Sequence, residues 1–389
     1  MHPDRPHYDV VVVGARPAGA ATAMLLARAG LRVLVVDRSR YGADTLSTHA
    51  LLRGGVLQLH RWGLLDRLVE AGTPAVRRTT FRYHDEEVVI AIKPSHGVDA
   101  LYAPRRTILD PLLVDAAAEA GAEVRYGVTV VGLRSDRRGR VAGIDGRDDA
   151  GRPLAVDAAM VVGADGLHST VARHVGAPPL RTGSGASAVV YGYWADVATD
   201  GYEWIFRPDA CAGVIPTNDG LACVFAAATP ARVGRGGRTV LEAVLAQASP
   251  AAAHRVRGGT APSGVRTFRG HPGLVRQAWG PGWALVGDAG YWKDPLGAHG
   301  LTGALRDAEL LARAIISTAT TDEPEPVALA RYQSIRDHLS QSMFDAMDVI
   351  AGQRWSEHEI GALLRRISAA MADEVDAIAA LDAVPIGVG

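Results

Sequence analysis

The sequence predicts an α/β protein: a mostly parallel, helix-flanked sheet, interrupted by a second β-sheet and followed by helices. Three observations carry this. An apolar, valine-rich run at 8–13 leads through the turn "GARPAG" into an apolar helix and a second buried run at 31–36. Segments 187–197, 201–207 and 221–228 are strand-like and aromatic in a chain with only 6% aromatic residues. Past the polar "TTDEPEPV" at 320–327, residues 328–351 and 357–381 have helical periodicity.

The first unit reads as strand, turn, helix, strand. Gly14 falls at the strand-to-helix turn, where a Cβ would clash, and Gly19 lets the helix pack on the strand. Pro17 suits a first helical position, and Gly30 ends the helix. Such a helix start offers free N–H groups and a positive dipole end to a pyrophosphate. Asp37, at the end of the second strand, is placed to accept from ribose hydroxyls. Gly14, Arg16, Ala18, Gly19, Asp37 and Arg38 are the expected contacts. Arg16 stands where G-x-G-x-x-G has its middle glycine, so either its Cβ turns away or the cofactor sits slightly higher, with the guanidinium over the diphosphate or toward the substrate side. The motif alone does not separate NAD from FAD. Further strands are expected at 123–131, 158–162 and 283–286, and a hairpin of 77–83 with 86–92 turning at His84 and Asp85. The implied units are 1–75, 95–175 and 270–326 for the dinucleotide, 76–94 and 176–269 for a substrate-binding sheet, and 327–389 for a helical segment.

Composition narrows the function. With 389 residues two or three units are expected, and a formal charge of −1 argues against nucleic acid. Basic charge is almost all arginine, Lys93 and Lys293 being the only lysines. Two cysteines make no disulfide framework, and thirteen scattered histidines show no metal-ligand spacing. No signal peptide or bilayer-spanning run is legible, so a cytoplasmic protein without stable membrane insertion is expected.

Two downstream segments add to the first motif: "VVGADGLHSTVAR" at 161–173 and "ALVGDAGYWKDPLGAHGLTGALRDAELLARAI" at 284–315. In this order the three resemble the fingerprints of the group A FAD-dependent monooxygenases, the superfamily of para-hydroxybenzoate hydroxylase, related to geranylgeranyl reductases and flavin-dependent halogenases. The resemblance covers residues 8 to about 345 and implies a Rossmann-like FAD-binding domain of glutathione reductase type 2. It places Asp165 and Gly166 near the diphosphate and Asp288 at the ribityl chain, with Val130 and Gly287 among the further cofactor-binding residues. Pro295, Gly297, Gly300 and Leu301 then form the loop and helix start against the isoalloxazine. The helix start would favour the anionic reduced flavin. Arg106 matches an arginine that contacts the phosphates, although Arg105 is an equally placed alternative. The sequence departs from the family at Ala172, where it commonly has arginine, and in "PLGAHGLT".

On the reaction side, "DTLSTH" at 44–49 follows the second strand, and the resemblance runs it past the flavin edge. Ser47 and His49 are candidates for substrate or flavin contacts; alternatively Ser47 or Thr48 caps a helix at 51–59. His299 is a second catalytic candidate. Tyr191, Tyr193, Trp204 and Trp292 are candidate substrate-pocket residues, with ordinary sheet core the alternative for the first three. The resemblance implies that NAD(P)H, or a separate flavin reductase, reduces FAD. Dioxygen then gives a flavin hydroperoxide that hydroxylates, epoxidises or oxidises a heteroatom of a small organic molecule. A double-bond reductase of the geranylgeranyl type is the main rival. A halogenase fits less well, since "AGVIP" keeps only part of its motif, and a redox-inactive flavin-binding protein is the non-enzymatic alternative.

Overall fold

In the strand His7–Val13 both faces are apolar because both are covered. Val10 and Val12 meet helices, and Val11 and Val13 meet a β-meander on the other side. The computed structural model describes residues 7–83 and 85–383. Five parallel strands run in the order Glu123–Tyr126, Val33–Asp37, His7–Val13, Pro153–Gly163, Trp283–Leu285. The chain goes to one side of His7–Val13 first and to the other later. A crevice at the strand C-termini therefore opens beside that strand, as in doubly wound dinucleotide folds. Helix Pro17–Arg28 is buried beneath helices Arg106–Glu119 and Gly300–Thr320.

The single strand expected at 123–131 is two. Gly127 has φ +70°, and the chain breaks there into Glu123–Tyr126 and Val128–Ser135. The first piece joins the parallel sheet; the second pairs with Val141–Asp148 in the antiparallel meander.

The second sheet has seven strands, in the order Arg266–Phe268, Ala188–Trp194, Ala222–Ala228, Cys211–Pro216, Tyr202–Phe206, Arg78–Tyr83, Glu86–Ala91. The expected hairpin of the last two forms; His84 lies outside the described residues. Strand alternation divides the aromatics. Tyr191, Tyr193 and Trp204 face the C-terminal helices, whereas Trp194 faces helices Arg238–Ala248 and Pro250–Gly258. Those two helices and the strand Cys211–Pro216 are not legible as such in the sequence. Residues Pro179–Thr182 lie outside this sheet and pair with Leu274–Arg276 in a third, three-stranded one.

The chain ends in helices Glu325–Ala351 and Glu357–Ala379, the latter started by a Ser356/Glu359 capping box. The last helix packs on its predecessor and on Arg53–Arg61. Among the described residues no helix is long and apolar enough to cross a membrane.

Candidate active site

The crevice is a groove of about 650 Å³, and at its base Gly14 and, behind it, Gly19 leave no room for a Cβ. Gly14 has φ +111°, and a Cβ there would lie 2.5 Å from the Ala164 carbonyl oxygen. A Cβ on Gly19 would lie 1.9 Å from the Gly14 oxygen. Position 16 differs. Arg16 precedes the helix with φ −89°, extended backbone open to any residue, so the missing glycine has no conformational cost. Its half-buried side chain lines the groove, where burial and the nearby Arg106 lower its pKa against the pull of Asp110 and Asp37.

Asp37 organises the groove's rim. One carboxylate oxygen accepts from the Ala15 amide at 2.7 Å; the other accepts from the Ser39 amide at 2.7 Å and its hydroxyl at 2.6 Å. Lone pairs remain for a ribose. Ala18, Arg38, Val130 and Gly166 also line the groove, whereas Gly19 and Gly287 shape it from behind. Gly287 has φ +59°, and its Cβ would meet the Ala18 methyl at 2.9 Å. The two neighbouring arginines separate. Arg106 lines the groove, fixed by Asp110 through bonds of 2.6 and 2.8 Å; Arg105 stacks on Tyr193 at 3.9 Å and faces Asp44.

Two aspartates in the groove have different surroundings. Asp165 accepts from the Ser169 hydroxyl and the Thr170 and Val171 amides, so it caps the helix Thr170–His174. Asp288 receives no hydrogen bond from the described residues. Burial raises its pKa to about 6, against Lys293 and Arg106, which lower it. A carboxylate so placed is an acceptor for a hydroxylated ligand. Glycine floor, Asp37, Asp288 and arginines together suit FAD.

At its far end the groove meets the loop of Pro295, Gly297 and Ala298, which runs into the helix Gly300–Thr320. Asp294 pins the loop by accepting from the amides of Ser187 at 2.7 Å and Leu296 at 3.0 Å. Burial raises its pKa to about 7, against those bonds. Pro295, Ala298, Gly300 and Leu301 line the groove; Gly297 and His299 lie on the other side of the loop. A Cβ on Gly297 would meet Met347 Sδ at 2.9 Å. Thr302 accepts from the Leu52 amide at 3.1 Å, so Leu52 precedes the helix Arg53–Arg61 and neither Ser47 nor Thr48 caps it.

Beyond the loop lies a second cavity of about 520 Å³, closed by the inserted sheet and the last helix. Phe81, Tyr202, Trp204, Leu364, Ile367 and Met371 are among its apolar lining. His299 borders it and is 2% exposed, with Nε2 donating to Glu374 at 3.1 Å. Arg306 holds the other Glu374 oxygen at 2.9 Å. Burial alone would raise the Glu374 pKa, but His299 and Arg306 outweigh it and bring it to about 2. Burial lowers the His299 pKa despite Glu374. Nothing in the sequence marks Glu374, 75 residues from its partner, as part of this site.

His49 is reached from the opposite wall of the groove. Its φ is +66°, it is 1% exposed, and Nε2 is hydrogen-bonded to the Tyr193 hydroxyl. Burial and Arg106, Arg105 and Arg266 push its pKa well down, so the ring is neutral. Its Nδ1 has no hydrogen-bond partner among the described residues. Tyr191 accepts from the Ser47 amide at 3.1 Å. Tyr191 and Tyr193 thus steady the 45–49 segment, and neither lines either cavity; Ser47 and Trp292 line the groove and Trp204 the second cavity.

The chain is 29% identical over 336 residues to menaquinone reductase of Mycolicibacterium smegmatis, covering 81% of this chain and 78% of that protein. It is 28% identical over 347 residues to digeranylgeranylglycerophospholipid reductase 2 of Methanopyrus kandleri, covering 84% and 81%. The myxobacterial chondrochloren halogenase CndH has the same fold, with a TM-score of 0.78, 19% identity and 96% of each chain covered. The profile of the family described as "FAD binding domain" matches residues 7–347, across both halves of the groove. The chain therefore belongs to this FAD-binding family and is an FAD-dependent oxidoreductase.

Proposed function

We propose that the protein is an FAD-dependent monooxygenase that inserts an oxygen atom from dioxygen into an apolar small organic molecule. One observation carries the reading: Ala298, in the loop beside the groove, lines both the groove and the apolar cavity. A substrate in the cavity is thereby one residue from the cofactor, and the apolar lining keeps water from the reacting atoms. Bound FAD would supply the redox chemistry, drawing electrons from NAD(P)H or from a separate flavin reductase. Segments 76–94 and 176–269 then serve as the substrate domain, with Trp204 in its wall. The neutral His49–Tyr193 pair orders the 45–49 segment without placing a charge beside the flavin. The free, buried thiols of Cys211 and Cys223 suit a cytoplasmic enzyme.

The test is oxygen uptake with NADH or NADPH across a panel of apolar candidates, in ¹⁸O₂. The expected result is substrate-dependent uptake with one labelled atom in the product. A second reading, reduction of an isolated double bond, is favoured by the two curated relatives named as reductases. It predicts product formed without oxygen and two hydrogens heavier than the substrate, and that outcome would displace the first reading.

A further inference from the structure

Only two of the 41 basic residues are lysines, and each lines one cavity: Lys93 the apolar cavity, Lys293 the cofactor groove. Lys93 is exposed, as a lysine usually is. Lys293 is 5% exposed. Among the described residues, no hydrogen bond or ion pair reaches its ammonium. Its close neighbour is the face of Tyr291, with Nζ 4.3 Å from the ring centroid. The carboxylates of Asp288, Asp307 and Glu374 act on it from beyond contact distance, and the Arg306 guanidinium opposes them. Burial is the largest influence on its pKa and lowers it. An ammonium has three N–H donors, and burying them without acceptors is costly. A charge in this position needs an acceptor, and none of the described residues offers one within hydrogen-bond distance.

The local backbone is shaped around this side chain. A Cβ on Gly303, in the first turn of Gly300–Thr320, would stand 2.7 Å from Lys293 Nζ and 3.5 Å from His299 Nδ1. A side chain at 303 would displace the ammonium, so glycine there keeps the space that Lys293 occupies. An arginine, the chain's usual basic residue, carries a wider planar head with five donors. The compact ammonium is the cation suited to this gap.

Position then identifies the acceptor. The groove has two ends. Gly14, Arg16 and Asp37 form the dinucleotide end. Lys293 lies at the other, with Pro295, Ala298 and Leu301, next to the apolar cavity where the redox ring must sit to reach a substrate. We infer that Lys293 is a further cofactor-binding residue: its ammonium donates to an oxygen of the flavin end of FAD, and its charge favours the reduced, anionic ring over the oxidised one. The inference holds for oxygenation and for double-bond reduction alike.

Two variants test it, both read by titrating apoprotein with oxidised and with dithionite-reduced FAD, and by thermal melting. Lys293→Met removes the charge and keeps an unbranched chain. It should weaken reduced FAD at least tenfold, with a smaller loss for oxidised FAD and a correspondingly more negative midpoint potential. Gly303→Ala keeps the lysine but pushes Nζ aside. It should melt no lower than wild type and still lose part of the preference for reduced FAD, which a purely structural role for the lysine would not produce. Lys293→Met with wild-type affinity for both forms, or with equal losses for both, overturns the inference. So does a Gly303→Ala protein with the wild-type preference.

Discussion

The cofactor groove and the apolar cavity share one residue, Ala298, and are built on opposite plans. The groove's floor comes from short segments in which backbone shape is decisive: the Gly14–Gly19 turn, the Ala164–Gly166 turn, and Gly287. A single Cβ at Gly14 or Gly19 would run into backbone oxygen. The cavity is assembled from pieces near residues 52, 80, 204, 296 and 370, each contributing side chains that many apolar residues could replace. Rigid backbone recognition thus lies on one side of a loop and adaptable side-chain packing on the other.

The sharpest way to break this contrast is at Gly19. Gly19→Ala should cost about 5 kcal/mol, because its new methyl meets backbone that cannot yield, and the protein should be recovered without FAD. Flavin absorbance of the purified variant checks this; a yellow, normally melting protein would refute the backbone account.

Glu374 tests the cavity side. Glu374→Gln leaves Arg306 and His299 short of a buried anion and should destabilise by about 3 kcal/mol, measured by urea unfolding at pH 7. The pH dependence has a definite sign. The folded pKa, about 2, lies below the ordinary value of 4.5. The Glu374 contribution is therefore complete above the unfolded pKa and is lost as pH falls from about 4.5 to about 2. The variant should lack this acid-side decline.

Two aspartates of the groove should behave unequally. Asp288→Ala should weaken FAD by about 2 kcal/mol, since an acceptor with no hydrogen-bond partner among the described residues is removed. Asp165→Ala should weaken FAD less and cost about 1 kcal/mol in folding stability, because it caps a helix. Flavin-fluorescence titrations and melting curves of both variants decide the order; equal FAD affinities for the two would overturn it.

The smallest effect on cofactor is expected from Leu364→Trp, which fills the apolar cavity. FAD affinity should stay within about twofold of wild type, while a naphthalenesulfonate dye should bind at least tenfold more weakly. Parallel losses of dye and FAD would show that the two cavities are not separable.

What could be read from the sequence follows the same division. The βαβ unit, Asp37, the turn at Asp165 and the loop after Asp288 were legible because each depends on residues close together in the chain. Arg16 looked like an obstacle in the sequence, but its extended φ of −89° needs no glycine. The break at Gly127 was missed because apolar patterning continues across it, while only the positive φ ends the strand. Glu374 and the last helix's lining were not legible, since a helix 75 residues downstream carries no sign of which loop it will touch. Alternation puts Tyr191 and Tyr193 on one face, yet it does not say whether a face meets a cavity or, as here, the back of another segment.

Ala298 gives the molecule a division of labour with consequences for descent. Phe81, Trp204 and Leu364 line the cavity and not the groove, so changes there alter what the cavity admits. On the proposed reading, new substrates can arise by ordinary drift in the cavity while the groove retains its cofactor. One narrow junction lets a single redox engine be inherited intact through many changes of diet.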